Sequence, residues 1–158
     1  MDSTSVFAIA FAIGAIAGLR TFTAPMVVSW AARLNWLNLQ DTWLAFLGYA
    51  ATPYVLTLIA LAEIVNDKLP KTPSRKTPGP FIARIVFGGF SGAALCAGSH
   101  QSPVAGALLG GLGAVAGTFG GYEFRTRLVK ALKVPDYVIA LVEDALAVGG
   151  GFFFVSRF

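Results

Sequence analysis

Ten polar or ionisable residues lie within apolar runs of this chain or at their ends: Arg20, Thr21, Thr23, Glu63, Asp67, Arg84, Glu123, Arg125, Glu143 and Asp144. A charge near the centre of a bilayer costs about 2.5–3.5 kcal/mol on the insertion scale, so each such residue needs a partner or a task. Arg20 lies in the middle of its run, too far from either end to reach water. Glu63 stands about two residues from the end of another run, and Glu143-Asp144 stand about two turns into a third. Glu63, Asp67 and Glu143 are candidates to meet one another and Arg20 or Arg84. One reading is a pair of carboxylates that binds a proton or cation, with Arg20 as counter-charge or anion contact. The plainer reading is a set of neutralised ion pairs that hold helices in register.

The surrounding composition makes this a membrane question. Of 158 residues, 56% are hydrophobic and 13% charged, with a mean hydropathy of +0.70. A soluble domain carries about a quarter charged residues, so a soluble enzyme, a nucleic-acid-binding module and a disordered tail are excluded. The expectation is an all-α, polytopic helix bundle of about five membrane helices, forming one integral membrane domain over residues 1–158.

The first span is expected from Val6 to about Ala32, followed by an amphipathic connection from Arg33 to Thr42. The second runs from Trp43 to about Val65 with a kink at Thr52-Pro53. Asn66 to Pro80, with four prolines and four Lys/Arg, reads as a loop. The third span is Phe81 to about Ala97. The fourth is Val104 to Gly121, continuing amphipathically to Lys133. The fifth is Tyr137 to about Val155, with Asp136 as its N-cap. No Lys or Arg precedes the first run, which speaks against a signal peptide. With five crossings, one side holds Lys68, Lys71, Arg75, Lys76, Arg84, Arg125, Arg127, Lys130 and Lys133, and the other holds Arg33 and Arg157. The bias implies a cytoplasmic N-terminus and an extracytoplasmic C-terminus.

Two short matches suggest a repeat. Gly14-Ala15-Ile16-Ala17-Gly18 resembles Gly113-Ala114-Val115-Ala116-Gly117, and Ile59-Ala60-Leu61-Ala62-Glu63 resembles Ile139-Ala140-Leu141-Val142-Glu143. In a five-span topology the copies are inverted, the arrangement by which many transporters build a site near the midplane. Each first motif is followed by a disturbance, Arg20-Thr21-Phe22-Thr23-Ala24-Pro25 in one and Thr118-Phe119-Gly120-Gly121 in the other. Freed backbone groups there need protein, water or ligand, which makes a candidate cavity; the alternative is a pair of packing kinks. Small residues at four-residue spacing, Gly14 and Gly18, Gly88 and Gly92, Gly106 and Gly110, let helix backbones touch. A homodimer is expected, because five spans have little lateral surface with which to enclose a pathway.

A membrane enzyme is the main rival: Glu63, Asp67, Glu143 and Asp144 around a divalent cation, with Arg75, Arg84 or Arg125 clamping a lipid phosphate. No Ser/His, Cys/His or zinc spacing and no phosphate-cradling glycine loop accompanies it, and no cofactor is implied. The lone Cys96 reads as a small buried side chain. A third reading is an assembly factor whose Lys68–Lys76 loop binds anionic lipids or a cytoplasmic partner.

The phrases AGLRTFTAP (17–25), AEIVNDKLPKTPSR (62–75), AGTFGGYEFR (116–125) and VEDALAVGGG (142–151) resemble domain-of-unknown-function family 4126, small bacterial membrane proteins. The resemblance covers nearly the whole chain and implies a multi-pass protein of the bacterial inner membrane. It points to Arg20, Glu63, Asp67, Glu123, Arg125, Glu143 and Asp144 without giving them roles. The reading of the residues themselves is a small transporter or channel-like protein for a charged solute or ion, in the lipid bilayer and without nucleic acid.

Overall fold

The computed structural model describes residues 2–67 and 76–158. Among them are six α-helices and no strand: α1 (Ser3–Leu19), α2 (Thr23–Arg33), α3 (Thr52–Asn66), α4 (Pro78–Gly98), α5 (Pro103–Leu132) and α6 (Asp136–Val155), with a 3₁₀ turn at Ala45–Gly48. Prolines sit in the first turn of α2, α3, α4 and α5, where a missing N–H costs nothing. Pro53 therefore starts α3 and does not kink it. The segment 43–51, expected to be helical, forms turns and the 3₁₀ element. Asp136 opens α6 as its first residue, with Pro135 at the cap position.

Helices α4, α5 and α6 are long and apolar enough to cross a membrane, and α1 and α3 are shorter apolar helices. Their outward faces carry Leu58, Leu61, Ile82, Val86, Leu108, Leu112, Leu141 and Leu146 in the open, the surface that a bilayer solvates and water does not. Trp36, Trp43, Tyr49 and Tyr54 are exposed toward one end, and Tyr122 and Tyr137 toward the other, at the places where amphipathic rings meet headgroups. From Tyr137 to Val155, α6 rises about 27 Å, close to the hydrocarbon thickness. The chain is a helical membrane protein.

The first apolar run is where the fold departs from expectation. It is two helices, and the chain reverses between them. Ile16 lies against Gly150 and Val27 lies against Gly151, so residues on either side of Arg20-Thr21-Phe22 return to the same level of α6. The helices then alternate in direction throughout, and both termini reach one end of the bundle. Phe158 packs with Val6, Ala10 and Cys96. Arg157 and Phe154 share a cleft with Ser5, Ala8 and Ile9. The expectation of termini on opposite faces is corrected by this one extra reversal.

The repeat is corrected as well. A Cβ on Gly14 would lie 2.0 Å from the Gly110 carbonyl oxygen, one on Gly18 2.3 Å from that of Ala114, and one on Gly117 2.0 Å from that of Ala15. Positions on α1 and α5 advance together, so the two glycine motifs form a parallel seam, touching backbone to backbone. They are not inverted copies. Helix α5 also passes through Thr118-Phe119-Gly120-Gly121 without a break. Helix α4 runs antiparallel against the same seam, with Gly92 close to Gly106. The buried core centres on Ile13, Ala17, Val27, Leu95 and Ala114. Cys96 is buried and free. Residues 68–75 of the expected Pro/Lys/Arg loop lie outside the described residues.

Candidate functional site

The reversal after Leu19 determines what must gather around it. Arg20 is extended, with φ −141° and ψ 111°, so the last carbonyls of α1 and the Thr21 and Phe22 amides just ahead of α2 are left without helical partners, and in an apolar medium they need others. Three other helices supply replacements. From α4, Arg84 donates through Nη1 to the carbonyl oxygens of Gly18 at 2.5 Å and Leu19 at 3.0 Å. From α5, the Thr118 hydroxyl, 2.8 Å from the Ala114 carbonyl oxygen, also lies 3.3 Å from that of Gly18. From α3, the Glu63 carboxylate accepts the Thr21 N–H at 2.7 Å on Oε1 and the Phe22 N–H at 2.9 Å on Oε2. These amides lead directly into α2, so the carboxylate also stands at the positive end of that helix's dipole.

Arg20 itself points inward and is fully buried. Its Nε donates to Asp144 Oδ1 at 2.5 Å, and Nη2 lies 2.5 Å from the same oxygen. Its Nη1 donates to Asp67, the residue that ends α3. A buried guanidinium is tolerable only with such paired carboxylates. Asp144 stands seven residues after Tyr137, about 10 Å along α6 from that aromatic level, so the pairs lie inside the apolar thickness. They lie toward the end that carries most of the basic residues, and not at the midplane.

A second group adjoins the first. Arg125 donates through Nε to Asp136 at 2.8 Å and through Nη2 to the other oxygen of the same carboxylate. Its Nη1 is 3.6 Å from Glu143. The neighbours Glu143 and Asp144, both buried, thus serve different arginines. Among the described residues, grooves reach the cluster from two sides. One of about 350 Å³ runs between α1, α5 and α6 past Leu19, Gly117, Gly121 and Glu143. The other, about 750 Å³, runs along α3 past Phe22, Ile59 and Glu63.

Of the residues singled out from sequence, Arg20, Thr21, Glu63, Asp67, Arg84 and Asp144 come together at the break, and Arg125 and Glu143 form the adjoining pair. Thr23 is buried in the first turn of α2, its hydroxyl without a hydrogen-bond partner among the described residues. Glu123 stands apart: it is exposed and pairs with Arg127 at 3.4 Å. Glu63 and Glu143 are not the matched pair that the repeat implied, since one caps backbone amides and the other faces Arg125. Asp136 was not recognised as a member, and Thr118 was named only as the start of the second disturbance, not as a partner of the α1 carbonyls. Thr118 carried a signal, being a threonine one residue beyond a glycine motif; Asp136 gave only that of a helix start. Among the described residues no three His, Cys, Asp or Glu side chains are grouped to hold a metal ion.

No curated protein and no solved structure matches the chain. A family model does, over residues 7–156, and that range contains the reversal, both arginine clusters and the helices that hold them. The chain therefore belongs to the family described as domain of unknown function DUF4126.

Proposed function

We propose that this protein is a small membrane transporter or channel-like protein for a charged solute or ion, working at the break between α1 and α2. The observation that carries the reading is the Glu63 carboxylate on the Thr21 and Phe22 amides, beside a buried Arg20 held by two carboxylates from two other helices. Broken helices that turn their free amides and carbonyls toward charged groups are how membrane transporters hold ions and anionic solutes at depth. Here side chains of the chain fill those places. Exchange of one of them for a solute or proton would release the helix it caps. Asp67 is the partner closest to water, at 18% side-chain exposure, and is the first to yield.

The nine Lys/Arg that sequence placed on one side follow α3 or lie on the same half of α4 and α5, whereas Arg33 and Arg157 lie at the end with the termini. The positive-inside rule then puts the basic end in the cytoplasm of a bacterial inner membrane and both termini outside. A homodimer remains the proposed assembly, since one chain has little lateral surface around a pathway. The lipid-phosphate enzyme has less support, because the four carboxylates it needs are divided between two arginines and a backbone cap.

The test is flux of monovalent cations, protons and small organic anions in proteoliposomes holding the full chain, with Asp67→Asn and Asp144→Asn beside the parent. The reading expects flux in the parent and its loss in both variants, with Asp67→Asn still purified as a folded, helical protein even though its thermal midpoint falls. Variants that move solute like the parent would leave only the structural account of the ion pairs.

A further inference from the structure

A second polar feature lies at the other end of α2, about 16 Å away along its 11 residues. Residues 32–49 border a partly open cavity of about 610 Å³ whose lining includes Arg33, Asn35, Asn38, Gln40, Gly48 and Tyr49. The segment is held in shape from two directions. Helix α2 ends with the Asn35 N–H on the Ala32 carbonyl at 3.3 Å and the Trp36 N–H on the Ala31 carbonyl at 2.9 Å. Asn35 is left-handed, with φ 60°, as such helix ends require. Beyond it Leu37 and Leu39 are buried while Asn38 and Gln40 between and after them are not, an alternation that pins the chain to the bundle and leaves the amides at the cavity.

The groups offered are mostly donors. Asn38 Oδ1 already accepts the Gln40 N–H at 3.1 Å, which leaves its NH₂ to point elsewhere. Arg33 is exposed and has no salt bridge among the described residues. Asp41, the carboxylate of the segment, is not part of the lining. A guanidinium with several amides suits a phosphodiester flanked by hydroxyls. The depth suits a lipid: Trp36, Trp43, Tyr49 and Tyr54 are all at least 40% exposed around this segment, marking headgroup level. We propose that this cavity binds the phosphodiester headgroup of an anionic glycerophospholipid from the leaflet at the end with the termini. It is independent of the transport reading, because none of its residues belongs to the broken-helix cluster.

Native mass spectrometry of the detergent-purified full chain, titrated with phosphatidylglycerol or with phosphatidylcholine, tests it. One phosphatidylglycerol is expected to stay bound about tenfold more tightly than phosphatidylcholine. The Arg33→Gln/Asn38→Ala double variant is expected to lose about that factor, with its thermal midpoint unchanged because both residues are exposed. Equal retention of the two lipids, or equal retention of phosphatidylglycerol by the variant, would overturn the proposal. So would free glycerol phosphate competing as well as the lipid, since the source would then be a soluble phosphate.

Discussion

Replacing Glu63 by Gln removes one acceptor from a position where two backbone amides converge. The carboxylate takes the Thr21 N–H at 2.7 Å and the Phe22 N–H at 2.9 Å, one on each oxygen. Glutamine keeps one carbonyl oxygen and sets an NH₂ against the other amide, so one charge-assisted bond is lost and the survivor becomes neutral. Bonds to charged groups contribute about 1.5–3 kcal/mol and neutral ones about 1, and a part-buried amide left unpaired adds its own desolvation cost. The expected loss is about 2–4 kcal/mol. The measurement is equilibrium unfolding in mixed micelles, followed by far-ultraviolet dichroism, with Glu123→Gln as the matched control. Glu123 pairs with Arg127 one turn away on an exposed face, and its change is expected to stay within about 0.5 kcal/mol. A Glu63→Gln variant as stable as the control would refute the claim that this carboxylate holds the reversal.

The parallel seam predicts opposite results for two glycines. Gly14→Ala would place a Cβ 2.0 Å from the Gly110 carbonyl oxygen and must part α1 from α5, whereas Gly120→Ala meets nothing within 4 Å; the first is expected to cost about 1–3 kcal/mol and the second nothing or a slight gain. Single cysteines at Ser5, Arg157 and Lys130, on a Cys96→Ala background, should label from outside sealed vesicles in a pattern that groups Ser5 with Arg157 and sets Lys130 apart. Labelling that groups Ser5 with Lys130 would contradict the hairpin. Asp2 accepts from both the hydroxyl and the amide of Ser5, which hold its carboxyl below its ordinary 3.8. A depressed folded value means that the cap stabilises α1 above about pH 4 and is lost as pH falls through the folded value. The Asp2 midpoint, followed by carbon NMR, should therefore rise toward 3.8 in Ser5→Ala.

Much of the helix content was readable because apolar runs and prolines mark helices locally. The third, fourth and fifth expected spans agree with α4, α5 and α6 to within about three residues at each end. The first run misled for a physical reason. Its 27 residues suit one tilted crossing as well as two shorter helices, and hydropathy does not record direction. Trp43 to Ala51 misled similarly, being apolar enough for a helix while lying at headgroup level as turns. Among the charged residues, type and position marked Glu63, Asp67 and Glu143 as partners for Arg20 or Arg84; Asp67 meets Arg20, but Asp144 takes the place expected of Glu143, which faces Arg125. Their division into a cap and two arginine clusters depends on which helices flank α1, and no spacing in the chain states that.

Composition and residue order are enough to place the chain in a bilayer, because its few charges cannot cover so much apolar surface in water. They also mark Arg20 as a residue in need of a partner or a task, because a lone guanidinium at that depth is costly. Tertiary structure alone decided that the chain turns back at Arg20, that the two glycine motifs lie side by side in the same direction, and that both ends share a face. Each depends on which backbones approach one another across long separations, and glycine permits that approach without specifying its partner.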